Sequence, residues 1–127
     1  MMKTRLIFCL VLICAILLMS GVAFAEFAVI DITLEGDQVI SVDSQLLDII
    51  KGNVTVGAGV TFQVEGIVTG NLTLEAGANL ILNGIIEENL TLGEGVTATI
   101  SGIVGGNIYN NSGNEIEING IVKGEIH

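Results

Sequence analysis

The chain has 127 residues, half of them hydrophobic, with 17 glycines, no proline and a formal charge of −10 from 14 carboxylates against four basic side chains. Such an acidic balance excludes nucleic acid as a partner, because phosphate-backbone binding rests on clustered lysine and arginine. The length suits one domain, and with no proline and no shift of composition after residue 26 there is no linker to divide it.

Residues 1–25 read as a signal peptide. Lys3 and Arg5 precede an apolar run from Leu6 to Met19, and Ala23-Phe24-Ala25 supplies the small-residue pattern for a cut between Ala25 and Glu26. The stretch from Leu6 to Ala25 is also long enough to be kept as an anchor. Either way the expected location is the cell envelope, the cell surface or the extracellular space. Both cysteines, Cys9 and Cys14, lie in this run, so the chain from Glu26 offers no disulfide and no thiolate metal site. Losing Lys3 and Arg5 leaves Lys51 and Lys123 against 14 carboxylates, a formal charge of −12. These carboxylates are spread along outward positions, as a solvated face requires, and the glycine-rich nonapeptide of calcium-loaded β-rolls is absent.

Residues 26–51 read as a degenerate N-terminal coil or cap. Ile32-Thr33-Leu34-Glu35-Gly36 echoes Leu72-Thr73-Leu74-Glu75-Ala76-Gly77 with one residue missing. Ser44 to Asp48 departs from the pattern before Ile49-Ile50-Lys51-Gly52-Asn53 falls back into step.

From residue 52 onward one 18-residue unit is written four times and begun a fifth at Gly124. Glycine recurs at Gly59, Gly77, Gly95 and Gly113, and again at Gly66, Gly84, Gly102 and Gly120, where isoleucine follows each time. A fixed period of this kind means stacked coils. Inside the unit the apolar residues hold even positions, as in Val54, Val56, Ala58, Val60, Phe62 and Val64, then Leu72, Leu74, Ala76, Ala78, Leu80 and Leu82. Odd positions carry Thr55, Gln63, Glu65, Thr73, Glu75 and Asn83. Alternation of period two predicts strands with one wet face, and even-numbered residues are expected inside from Val54 to Ile126. Eighteen residues suit three short strands whose corners the glycines turn by accepting positive φ. The expected fold is all-β, a single-domain parallel β-helix of 18-residue coils, with four coils across residues 52–127.

Two patterns along the stack carry further expectations. Asn53, Asn71, Asn89 and Asn107 fall in register and are read as a side-chain ladder; the N-glycosylation pattern of the first three follows from the repeat itself. Gly102-Ile103-Val104-Gly105-Gly106-Asn107-Ile108 and Gly120-Ile121-Val122-Lys123-Gly124-Glu125-Ile126, with Gly66 to Leu72 and, with Glu88 in place of a glycine, Gly84 to Leu90, resemble the repeat of the bactofilins. That resemblance implies a right-handed β-helix that polymerises end to end into non-polar filaments without nucleotide or other cofactor. Bactofilins are typically cytoplasmic, whereas a leader here places the self-assembling rod outside the cytoplasm.

An enzyme is not expected. A left-handed hexapeptide acyltransferase shares the 18-residue coil, but the one histidine, His127, is read as a frayed terminal residue, and no nucleophile–base pair, metal-ligand cluster or phosphate loop accompanies it. The threonine column Thr55, Thr73, Thr91 breaks at Tyr109, which argues against an ice-binding face. The expected partner is therefore another copy of the chain, through Phe27, Val29 and Ile30 at one end and Ile116, Ile118, Val122 and Ile126 at the other. A second expected surface is a lateral stripe of Ile67, Ile85, Ile103 and Ile121, facing either another rod or a membrane or envelope surface, unless a corner turns these side chains inward. The alternative is a monomeric surface adhesin or ligand-binding module.

Overall fold

A computed structural model describes residues 27–127; the signal peptide, its cut site at Ala25 and Glu26, and both cysteines lie outside the described residues. Coil one holds β1 (Ala28–Ile30), β2 (Leu34–Glu35) and β3 (Gln38–Ile40). Coil two holds β4 (Ser44–Leu46), β5 (Ile49–Lys51) and β6 (Val54–Val56), and coil three holds β7 (Thr61–Val64), β8 (Ile67–Val68) and β9 (Leu72–Leu74). Coil four is β10 (Asn79–Leu82), β11 (Ile85–Ile86) and β12 (Leu90–Leu92), and coil five is β13 (Thr97–Ile100), β14 (Ile103–Val104) and β15 (Ile108–Asn110). A sixth, partial layer adds β16 (Glu117–Ile118), β17 (Ile121–Val122) and a bridge from Ile126 to Ile108. The first strands of the layers form sheet A, the second strands sheet B and the third strands sheet C, all parallel. This is a β-solenoid.

Side chains stack in columns because every register step from coil two onward is 18 residues, as in Ser44–Phe62, Ile49–Ile67 and Val54–Leu72. Leu46, Val64, Leu82 and Ile100 fill one inward column, and Ile50, Val68, Ile86 and Val104 fill another. Phe62, the largest fully buried side chain, sits above Ser44, whose small volume makes room for the ring. The Ser44 hydroxyl is satisfied by donating to the Val42 carbonyl at 2.7 Å.

The first coil differs from its expected alignment. Its step to coil two is 16 residues, pairing Ala28 with Ser44, Leu34 with Ile50 and Gln38 with Val54. Leu34-Glu35-Gly36 therefore stacks with Ile50-Lys51-Gly52 in sheet B and not with Leu74 in sheet C. The missing residues fall between β3 and β4, where later coils carry a four-residue turn. Ser44 to Leu46 is in step after all, so residue 52 is not a structural boundary: β4 and β5 precede it in coil two.

Two glycine columns do different work. Gly59, Gly77 and Gly95 have φ of 72° and Gly113 has 78°. Each of the first three is the third residue of a type II turn, closed by Val60 N–H to Gly57 O at 3.2 Å and its repeats. Gly66, Gly84, Gly102 and Gly120 are not in the left-handed region, contrary to the expectation. They are glycine because a Cβ there would overlap the carbonyl oxygen of the residue one coil below. Parity also fails at the turns: Ala58 and Ala76 are even-numbered yet exposed, because they sit at the outer corner of the turn.

Candidate functional site

Close packing at the glycine corner shapes the outer surface. Between sheets A and B no side chain projects from Gly66, Gly84 or Gly102, so a groove of about 540 Å³ runs along the rod over coils three to five. Ile67, Ile85 and Ile103 form one wall, and Glu65, Asn83 and Ser101 form the other. The isoleucines are register partners, and the column extends down to Ile49 and up to Ile121. Ile67, Ile85 and Ile103 are half-buried, and Ile121 is 57% exposed. The stripe is thus neither a proud ridge nor turned inward; it is the apolar wall of a groove.

The opposite wall is polar and internally bonded. Glu65 Oε2 accepts from Asn83 Nδ2 at 2.7 Å and from Gln63 Nε2 at 2.8 Å. These two bonds, Asn83's first, hold the Glu65 carboxyl below the usual glutamate range against a smaller opposing effect of burial. Within coils three to five the other carboxylates lie at the remaining corners: Glu75 and Glu94 between sheets C and A, Glu87 and Glu88 between B and C. None lies on a strand, so the sheet faces there are uncharged.

The asparagine ladder forms, with the main chain as its donor. Asn71, Asn89 and Asn107 N–H groups donate to Asn53, Asn71 and Asn89 Oδ1 at 2.8, 3.0 and 2.8 Å. Asp37 extends it downward by accepting from Asn53 N–H at 2.9 Å, and Asn107 accepts from Glu125 N–H at 2.8 Å. Next to it the threonine column ends in a stacked pair, Tyr109 over His127, with ring centroids 5.2 Å apart. His127 is not frayed: its N–H donates to Ile108 O at 2.8 Å and its carbonyl accepts from Asn110 N–H at 3.0 Å.

No family model, curated protein or solved structure matches the chain. Among the described residues no group of three or more His, Cys, Asp or Glu is placed to hold a metal ion, and no helix is long and apolar enough to cross a membrane.

The residues expected at the two ends separate by position. At the C-terminal end Ile116, Ile118 and Val122 are partly buried against the core, and Ile126 is 52% exposed. At the other end Val29 and Ile30 cannot share one face, because successive residues of a strand point to opposite sides. Ile30 is a core residue at 2% exposure, Val29 points sideways at 50%, and Phe27 is half-buried. What sequence reading missed was the groove's floor and its polar wall. Glycine at the corner was legible as a turn signal, but the wall of Glu65, Asn83 and Ser101 changes identity at each coil and gives no repeat to find.

Proposed function

We propose that this is an exported structural protein whose rods join end to end into filaments, a bactofilin-like scaffold working outside the cytoplasm without a cofactor. One observation carries the reading: the sixth layer leaves Ile121 and Ile126 more than half exposed and Ile118 and Val122 only partly covered, above a core that is otherwise fully buried. Another chain's coil laid on that layer would continue the parallel pairing that already joins layers five and six, and each apolar side chain it fully buried would contribute about 1.5–3 kcal/mol before the entropy of association.

A second reading, a monomeric surface adhesin or ligand-binding module, draws support from the first coil, where Ala28, Ile30 and Leu34 are only 2–3% exposed. A rod with one open end would stop at pairs or stay single. Sedimentation of the chain from Glu26 separates the two. Long polymers that disappear on Ile118→Lys plus Ile126→Lys support the scaffold; monomers at every concentration support the module.

A further inference from the structure

The glycine-floored groove has the shape to receive the isoleucine column beside it, and we propose that it is a lateral docking surface for a second copy of this chain, aligned parallel. Three observations commit it to that occupant. Apolar knobs at Ile67, Ile85 and Ile103 repeat once per coil, about 4.8 Å apart. Same-face side chains of an extended peptide repeat at about 6.6 Å and the turns of a helix at about 5.4 Å, so neither stays in step with the groove over three coils. Only another stack of β-coils does, and a copy of this chain presents that stack.

Charge points the same way. A chain this acidic repels its copies over most of its surface. Along the groove over coils three to five the single lining carboxylate is Glu65, already bound by Asn83 and Gln63, while Glu75, Glu87, Glu88 and Glu94 occupy the other two corners. Two rods meet least repulsion along this strip.

Symmetry then sets the direction. Rail and groove lie side by side, so with a two-fold axis running along the rods, each rail falls into the partner's groove at equal height. With the axis across the rods, which makes them antiparallel, rail meets rail and both grooves stay empty. The five-layer column is about 19 Å long and three residues wide, roughly 10 Å, so a pair buries on the order of 400 Å² in total, well below the roughly 1,200 Å² of a stable interface. Single rods therefore pair weakly, and rods joined end to end pair firmly because the contact is repeated along their length.

The chain from Glu26 contains every described strand and no native cysteine, which makes disulfide trapping a direct test. Under mild oxidation at high protein concentration, Ile103→Cys should form a homodimer at least about tenfold faster than Thr73→Cys on sheet C, the rate ratio being set by local concentration. Adding Ser101→Arg should remove that excess and leave the circular-dichroism melt unchanged. Mixing tagged Ile67→Cys with Ile103→Cys should give no excess of the mixed dimer. A dominant mixed dimer, the antiparallel outcome, overturns the proposal, as does trapping no faster than at Thr73→Cys. Sedimentation with phosphatidylcholine vesicles together with no enhanced trapping would assign the rail to a lipid surface instead. Ile103 lies one layer in from the terminal edge, so trapping there reports side-by-side contact and stands or falls independently of filament formation.

Discussion

Replacing Gly84 by alanine should cost far more than replacing Gly77, although both recur with the same period and both sit at corners. At Gly84 a Cβ would overlap the Gly66 carbonyl oxygen and stand 2.9 Å from the Glu65 carbonyl. The coils must separate there, which strains three inter-coil bonds: Asn83 and Gly84 N–H to Val64 O, both 2.8 Å, and Ile85 N–H to Gly66 O, 3.0 Å. At about 1 kcal/mol net for each bond, with some overpacking added, the loss is roughly 3–5 kcal/mol. That is a large part of the roughly 5–15 kcal/mol of a typical domain. At Gly77 the φ of 72° is the only obstacle, since the nearest atom to an added Cβ is Gly59 N at 4.0 Å. Holding alanine in the left-handed region costs about 1–2 kcal/mol. Urea denaturation followed by far-ultraviolet circular dichroism on the chain from Glu26 gives both values. If Gly77→Ala costs as much as Gly84→Ala, the assignment of one column to backbone conformation and the other to coil contact is wrong.

Leu74→Asp, at a position 1% exposed, should cost several kcal/mol and unfold the rod, while Thr73→Asp on the outer face should shift the thermal melt little; similar losses at both would contradict the inside–outside alternation. Asn71→Ala removes the acceptor of Asn89 N–H and should cost about 1 kcal/mol, with Asn71→Asp losing less, since Asp37 already fills the same role for Asn53 N–H. Glu65 titrates below its ordinary value in the fold, so its contribution is complete above the unfolded pKa of about 4.3 and is lost as pH falls through the lowered folded value. Melting curves from pH 6 to pH 3 should show Glu65→Gln losing less stability on acidification than the parent, by a small amount because the group is exposed. An identical acid response of the two chains would mean that the Asn83 and Gln63 bonds do not stabilise the carboxylate.

Most of the interior was legible because a period of two within a period of 18 leaves little freedom. Leu72, Leu74, Leu80, Leu82 and Phe62 had to face one way, and they do. The errors fall where the period is interrupted or where a residue type has two physical uses. Leu34-Glu35-Gly36 matches the repeat in two frames, and only the backbone pairing with Ile50 and Lys51 decides between them. Ala58 and Ala76 keep even numbers but ride on turns, where alternation does not apply. Glycine serves both positive φ and close approach, and spacing alone does not separate the two. The isoleucine column was visible as a repeat. Its role as a groove wall was not, because the groove exists only through what Gly66, Gly84 and Gly102 lack.

Electron cryomicroscopy of the chain from Glu26 tests the central claim most directly, because end-to-end joining makes the joint one more step of the coil stack. Unbroken filaments are expected, with one chain for about every 29 Å of length, six layers at about 4.8 Å each. Single rods at every concentration, or filaments whose length per chain departs widely from six layers, would contradict it.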